Sequence, residues 1–229
     1  MQNKKKKLLQ FFSLKVILIN CILFACIMGF AMIVDEVLLE QEKMFDDTAF
    51  RFFDAVTTPL LIQVMKILTF IGSTAFMFPA YVLLIIILLL QKKTRYAIEV
   101  ALVGITSQAL LYILKTIFHR QRPPSSLIKN ITTYSFPSGH AFSTFIFCSI
   151  IVYIVQHTKW KAVYKWIVSA VLLLLSITIG ISRIILKVHY PTDVLGSLLL
   201  GIAWVICMVW LVNRMNKKYE MNKRNDQLS

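Results

Sequence analysis

Charge is scarce in this 229-residue chain. Only 16% of its residues are Asp, Glu, Lys or Arg, where a soluble domain carries about a quarter. Acid is scarcer still, with 11 Asp and Glu against 25 Lys and Arg, for a net charge of +14. Seven Gly and six Pro are too few for a collagen-like or low-complexity disordered chain. Four Cys, all inside apolar runs, exclude a disulfide-stapled secreted domain and read as small packing residues. Nothing shows the alternation of a membrane β-strand. No basic run is interleaved with aromatics on a polar domain, so +14 is not a nucleic-acid footprint and no nucleic acid partner is expected. What abounds is apolar: 58% of residues are hydrophobic and the mean hydropathy is +0.71. The class is polytopic membrane protein.

A helix needs about 20 mostly apolar residues to cross the hydrocarbon core. Six runs qualify, near 16–34, 74–90, 97–118, 141–156, 163–186 and 194–212; the fourth is short and the second contains Pro79. The expected fold class is all-α, because open sheet edges go unsatisfied in lipid. Residues 1–229 read as a single integral-membrane domain, without linker or repeat. The lysines at 4–7 before the first run resemble the front of a secretory signal, but 16–34 is long enough to span and no small-x-small cleavage site follows before Asp35. It reads as an uncleaved first helix.

Sixteen of the 25 cations fall in the N-terminal tail, the second-to-third and fourth-to-fifth connections, and the C-terminal tail. By the positive-inside rule those segments are cytoplasmic, both termini included. The first outer loop, 35–58, is acidic, and within it Phe45, Ala49, Phe52, Phe53 and Val56 recur at helical spacing. A short amphipathic helix on the outer face is expected there, or a loop packing its aromatics on the bundle. Lys66 and Glu99 lie near span ends and read as interfacial.

Beyond Lys43 and Arg51 of that acidic loop, six cations remain on the outer side, where short loops should lack them: Lys115, Arg120, Arg122, Lys129, Arg183 and Lys187. His119, His140 and His189 are there too, with Pro123, Pro124, Pro137 and Pro191. Lys115 and Arg122, seven apart, are expected to project from one face of the third helix before Pro123 and Pro124 stop it. Two such cations suit a multiply charged anion, or anchor the helix by snorkelling. Pro137-Ser138-Gly139-His140 precedes the fourth run, so free N–H groups at Ser138 and Gly139 would face an anion. A plain N-cap would explain Ser138 but not the histidine. Ser182-Arg183, five residues, His189, three residues and Asp193 cross the last outer loop. Pro191 suits a first helical turn, which puts Asp193 just inside the sixth helix beside His189. A carboxylate on one ring nitrogen fixes the tautomer and frees the other to attack; a purely structural His–Asp pair is the alternative.

The topology brings all three segments to one face. Two histidines, an aspartate and several cations are what phosphoryl transfer requires. His140, His189 and Asp193 could also supply a zinc triad, but Lys115, Arg122 and Arg183 would crowd a dication and complement a phosphate. An anion or phospholipid transporter would place its ionisable residues near the midplane; here they lie at span ends.

These residues resemble the signature of the type-2 phosphatidic-acid phosphatases, a superfamily shared with vanadium haloperoxidases. Lys-x6-Arg-Pro, Pro-Ser-Gly-His and Ser-Arg-x5-His-x3-Asp occur in order and without a substitution, and Ile71-Gly72-Ser73 resembles a leucine–glycine–serine step before the second span. The resemblance implies that Lys115, Arg122 and Arg183 bind phosphate oxygens, helped by Ser138 and Gly139. His189 would be the nucleophile, oriented by Asp193, and His140 would protonate the leaving oxygen and then activate water. It implies no cofactor and no metal. Arg120 and Lys129 lie outside the signature and are candidates, with no assigned role, for contact with a second phosphate group; Ser182 has no evident chemical role. The expected partner is a lipid phosphate in the bilayer, undecaprenyl diphosphate first, then phosphatidylglycerophosphate or phosphatidic acid, with no obligate protein partner. Transfer to an acceptor alcohol would share the first half-reaction. The Lys/Ile/Asn-rich composition and short tails suggest a bacterial plasma membrane.

Overall fold

The structure is a computed structural model that describes residues 2–39, 43–129 and 131–226. Regular structure among these residues is helical throughout. Helix α1 (Gln2–Val34) runs into a π-helical turn at Asp35–Leu39, followed by α2 (Met44–Val56), α3 (Pro59–Ile71) and α4 (Thr74–Leu90). Then come α5 (Thr94–Phe118), α6 (Gly139–Gln156), α7 (Ala162–Ile185) and α8 (Pro191–Asp226). Five stretches are long and apolar enough to cross a bilayer: Leu14–Val37, α5, α6, α7 and Pro191–Asn216. Helix α4, with 17 residues, is at the short limit of about 17–25 for a span. Large apolar side chains such as Ile67, Phe78, Ile105, Trp166 and Leu174 stand exposed on the flanks, the surface a hydrocarbon solvent favours.

Local chemistry sets the breaks. Thr58 caps α3 by accepting from the Leu61 N–H, with Pro59 at the first helical position, where its missing N–H costs nothing. Ser73 caps α4 through the Phe76 N–H. Helices α2 and α3 meet at 115°, so together they form no straight span. The amphipathic spacing of the first outer loop does produce a helix, α2, with Phe45, Phe52 and Val56 exposed.

Lipid tails are as apolar as leucine, so close packing and interhelical polar ties hold such a bundle, at roughly 0.6–2 kcal/mol per tie. Helix α1 packs antiparallel on α8, with Ile33 near Gly196 and both beside the ring of Phe136. Gln108 Nε2 donates to Ser143 Oγ at 2.9 Å, tying α5 to α6. Arg183 Nη1 donates to Thr69 Oγ1 at 2.6 Å, tying α7 to α3. The four cysteines are free and sit in α1, α6 and α8. The C-terminal end of α5, the N-terminal ends of α6 and α8 and the C-terminal end of α7 converge on one end of the bundle, the site end.

Candidate active site

The last turn of α5 carries Lys115, whose Nζ donates to the Tyr134 carbonyl at 2.6 Å. The helix does not continue to the prolines. It stops at Phe118 because His119 turns left-handed, at φ 47°, and its N–H closes back on the Lys115 carbonyl. Lys115 and Arg122 therefore do not share a helix face, as the spacing had suggested. Arg122 reaches the site from the irregular segment that follows α5.

Arg122 is held by three backbone carbonyls, those of Thr133, Tyr134 and Val188, and by the Thr133 hydroxyl, which accepts from Nη2 at 3.0 Å. Its Nε donates to the Thr133 carbonyl at 2.7 Å and its Nη1 to the Val188 carbonyl at 2.7 Å. The same Nη1 lies 3.1 Å from His189 Nε2. A guanidinium only donates, so Nε2 must be the unprotonated nitrogen of the imidazole. The ring proton is then on Nδ1, which lies 3.3 Å from Asp193 Oδ2. His189 is 1% exposed. Burial pushes its imidazole down to about 3, outweighing the Asp193 carboxylate that favours the charged form, while Arg122 and Arg183 push it further down. It is neutral over the ordinary pH range.

Asp193, in the first turn of α8, is fully buried. Beyond His189 it accepts from the Tyr190 N–H at 2.9 Å, from Ser135 Oγ in a very short contact, and from Arg120 Nη1 at 2.5 Å. The His189 loop winds over the end of α7, where the Val188 and His189 N–H groups both donate to the Arg183 carbonyl. Arg183 is 3% exposed, and its Nε has no hydrogen-bond partner in the described protein. Ser138 holds the N-cap position of α6 but its hydroxyl caps nothing; Oγ is buried and equally unpartnered. These are two polar groups without protein partners in a cationic neighbourhood.

A cavity of about 940 Å³ joins the parts. Lys115, Arg122, Gly139, His140, Arg183 and His189 all line it, while Ser138 and Asp193 are buried behind its wall. From the histidines it extends between α4 and α5, along Phe78, Tyr81, Val82, Ile85, Gly104 and Ile105. Gly72 also lines it, where helix and site approach closely: a Cβ there would come within 2.8 Å of Ile179 Cγ2 and 3.1 Å of His140 Cδ2. An anion with an apolar tail fits this shape, head among the cations and tail along α4 and α5.

Three of the six cations singled out by the sequence are not in the cavity. Lys187 pairs with Asp54 of α2 at 2.9 Å, Lys129 is exposed, and Arg120 faces two carboxylates rather than the cavity. His119 is exposed against the Tyr134 ring. Conversely, sequence reasoning missed Ser135, Thr69, Asp46 and Lys66. Asp46 sits among the polar positions of an amphipathic helix yet is 1% exposed, and no local signal distinguishes it from Asp47. Lys66, read as interfacial, lines the cavity wall. Among the described residues no group of three His, Cys, Asp or Glu side chains is arranged to hold a metal ion.

The chain is similar to known proteins. The chain is 31% identical over 148 residues to phosphatidylglycerophosphatase B of Bacillus subtilis (strain 168), covering 64% of this chain and 73% of that protein. It is 27% identical over 143 residues to the undecaprenyl-diphosphatase BcrC of the same organism, covering 60% and 69%. Among solved structures, the first transmembrane PAP2 type phosphatidylglycerolphosphate phosphatase from Bacillus subtilis superposes with a TM-score of 0.75 at 25% identity, over 86% of this chain and 96% of that one. The PAP2 superfamily profile matches residues 94–217, more than half of the sequence and the part that carries both histidines, Asp193 and the three signature cations. The chain belongs to the PAP2 superfamily.

Proposed function

We propose that this protein is an integral-membrane lipid phosphatase that works through a phosphohistidine on His189. The observation that carries the reading is the Arg122 donor on His189 Nε2, which leaves the proton on Nδ1 and the lone pair on the cavity side. On substrate binding, Arg122 Nη1 passes from Nε2 to a phosphate oxygen. Nε2 attacks phosphorus, the bond from phosphorus to the lipid-side oxygen breaks, and His140 donates a proton to that oxygen. Lys115, Arg122, Arg183 and the Ser138–Gly139 start of α6 hold the equatorial oxygens. In the second step His140 takes a proton from water, the water oxygen bonds to phosphorus, and the P–N bond returns its pair to Nε2. Asp193 stabilises the positive charge that His189 carries between the steps. No metal takes part.

For the lipid, undecaprenyl diphosphate is the first choice. Lys66 adds a cation to the cavity wall beyond the signature set, suited to a second phosphate, and the similarity to BcrC points the same way. The similarity to phosphatidylglycerophosphatase B makes phosphatidylglycerophosphate the second reading. The basic tails and connections support placing the site on the extracytoplasmic face.

The test is phosphate release by purified protein in detergent with EDTA, offering undecaprenyl diphosphate, phosphatidylglycerophosphate and phosphatidic acid side by side, with His189→Ala as control. Release that survives EDTA and disappears in the variant is expected, fastest with the diphosphate. Release abolished by EDTA, or none from any lipid by folded protein, would refute the reading.

A further inference from the structure

Arg120 has no place in the signature and does not line the cavity, yet it pairs with two buried carboxylates. Its Nη1 donates to Asp193 Oδ1 at 2.5 Å and to Thr192 Oγ1 at 2.9 Å, and its Nη2 donates to Asp46 Oδ2 at 2.7 Å. The Tyr190 ring lies 4.0 Å from its Cζ. Asp46, brought in by α2, accepts from the Thr192 N–H at 2.9 Å and from its hydroxyl at 2.8 Å. Both carboxylates are at most 1% exposed.

We propose that Asp46 and Arg120 are positioning residues for His189, acting through Asp193; the proposal rests on the phosphohistidine reading above. The argument is one of charge and shape. A guanidinium alone beside Asp193 would cancel its charge, and the imidazole that becomes cationic on phosphorylation would face no net negative charge. Asp46 takes up the other half of the fork, so the two carboxylates and one guanidinium carry a net charge of −1 next to His189. The planar fork also fixes the Asp193 carboxylate plane, leaving Oδ2 for the ring, Ser135 and the Tyr190 N–H. Helix α2, with Phe45 and Phe52 exposed, thus ties an apolar face to the orienting carboxylate.

Two readouts on the same purified variants test this: steady-state phosphate release, and affinity for orthovanadate, whose trigonal-bipyramidal adduct requires an imidazole nitrogen oriented for attack. Arg120→Gln is expected to lower kcat about 10²-fold, as a misplaced reactive group does. Asp46→Asn is expected to lower it about tenfold, as loss of an outer hydrogen-bond partner does. KM should stay within about threefold, and vanadate affinity should fall with kcat. The double variant should be no slower than Arg120→Gln alone, because the residues act as one unit. Thr192→Val removes the hydroxyl between them without leaving a charge unpaired, and should lower kcat several-fold at constant KM; this variant decides if the other two fail to fold.

Unchanged kcat in Asp46→Asn or in Thr192→Val, or additive losses in the double variant, would overturn the proposal. So would an Arg120→Gln that raises KM tenfold at full kcat, since that makes Arg120 a phosphate contact. Wild type that binds vanadate but releases no phosphate would sink the phosphatase reading alone, and the variants' vanadate affinities would still decide this one. Wild type that binds no vanadate overturns both.

Discussion

Asp193→Asn changes one oxygen to nitrogen and almost nothing in volume, so its largest effect is loss of the carboxylate charge. In the proposed mechanism that charge faces a neutral ring at rest and an imidazolium after attack. At 3.3 Å between Nδ1 and Oδ2, and an effective dielectric constant of about 20, unit charges attract by about 5 kcal/mol. That energy is available only once His189 becomes cationic, so its loss raises the barrier rather than weakening substrate binding. Since about 1.4 kcal/mol is a factor of ten, kcat should fall by roughly 10³–10⁴, with KM little changed. An orienting carboxylate in a comparable histidine pair is worth about the same. The assay is steady-state phosphate release from a lipid substrate, on protein whose size-exclusion profile matches wild type. Asp193→Asn retaining more than a tenth of wild-type kcat would refute the assignment of Asp193 as partner to the nucleophile.

Other outcomes follow from the same geometry. His140→Ala should lose about 10²–10⁴ in lipid turnover yet still release one equivalent of an aryl leaving group, which needs no proton; rapid full turnover of lipid would contradict its role. His189 titrates at about 3 when folded and at about 6.5 when unfolded, so the unfolded chain binds more protons between those values. Its contribution to stability is complete above about 6.5 and is lost as pH falls towards about 3. Thermal unfolding in detergent should therefore steepen its acid dependence there, and His189→Gln should flatten it. Gly72→Ala drives a methyl into Ile179 and His140. It should cost about 1–3 kcal/mol of stability and lower kcat, and an unperturbed melting temperature would show that the approach is looser than described.

The bundle was legible because lipid leaves few choices: a span needs a continuous apolar run, and each of the six gave a helix within a few residues, apart from the polar extensions of α1 and α8. The three motifs were legible because Lys115, His140 and Asp193 each sit at a helix end, where polar residues interrupt an apolar pattern. Arg120 was not. Its partner Asp46 is 74 residues away in sequence, on a helix whose spacing marks that aspartate as solvent-facing. Arg122 was placed on the wrong element because Pro123 looks like the helix stop, whereas the left-handed turn at His119 had already ended it. Spacing alone records neither that turn nor the fork that pulls Arg120 away from the anion site.

Direct capture of the intermediate tests the central claim. His140→Ala, slowed in the water step, would be mixed with an aryl phosphate radiolabelled at phosphorus, whose leaving group needs no proton, and quenched in alkaline detergent. Acid-labile, alkali-stable label is expected on the peptide that carries His189, and none in the His140→Ala/His189→Ala double variant. Wild-type turnover with no label on any histidine, or label on His140 in place of His189 in the wild-type enzyme, would contradict the account.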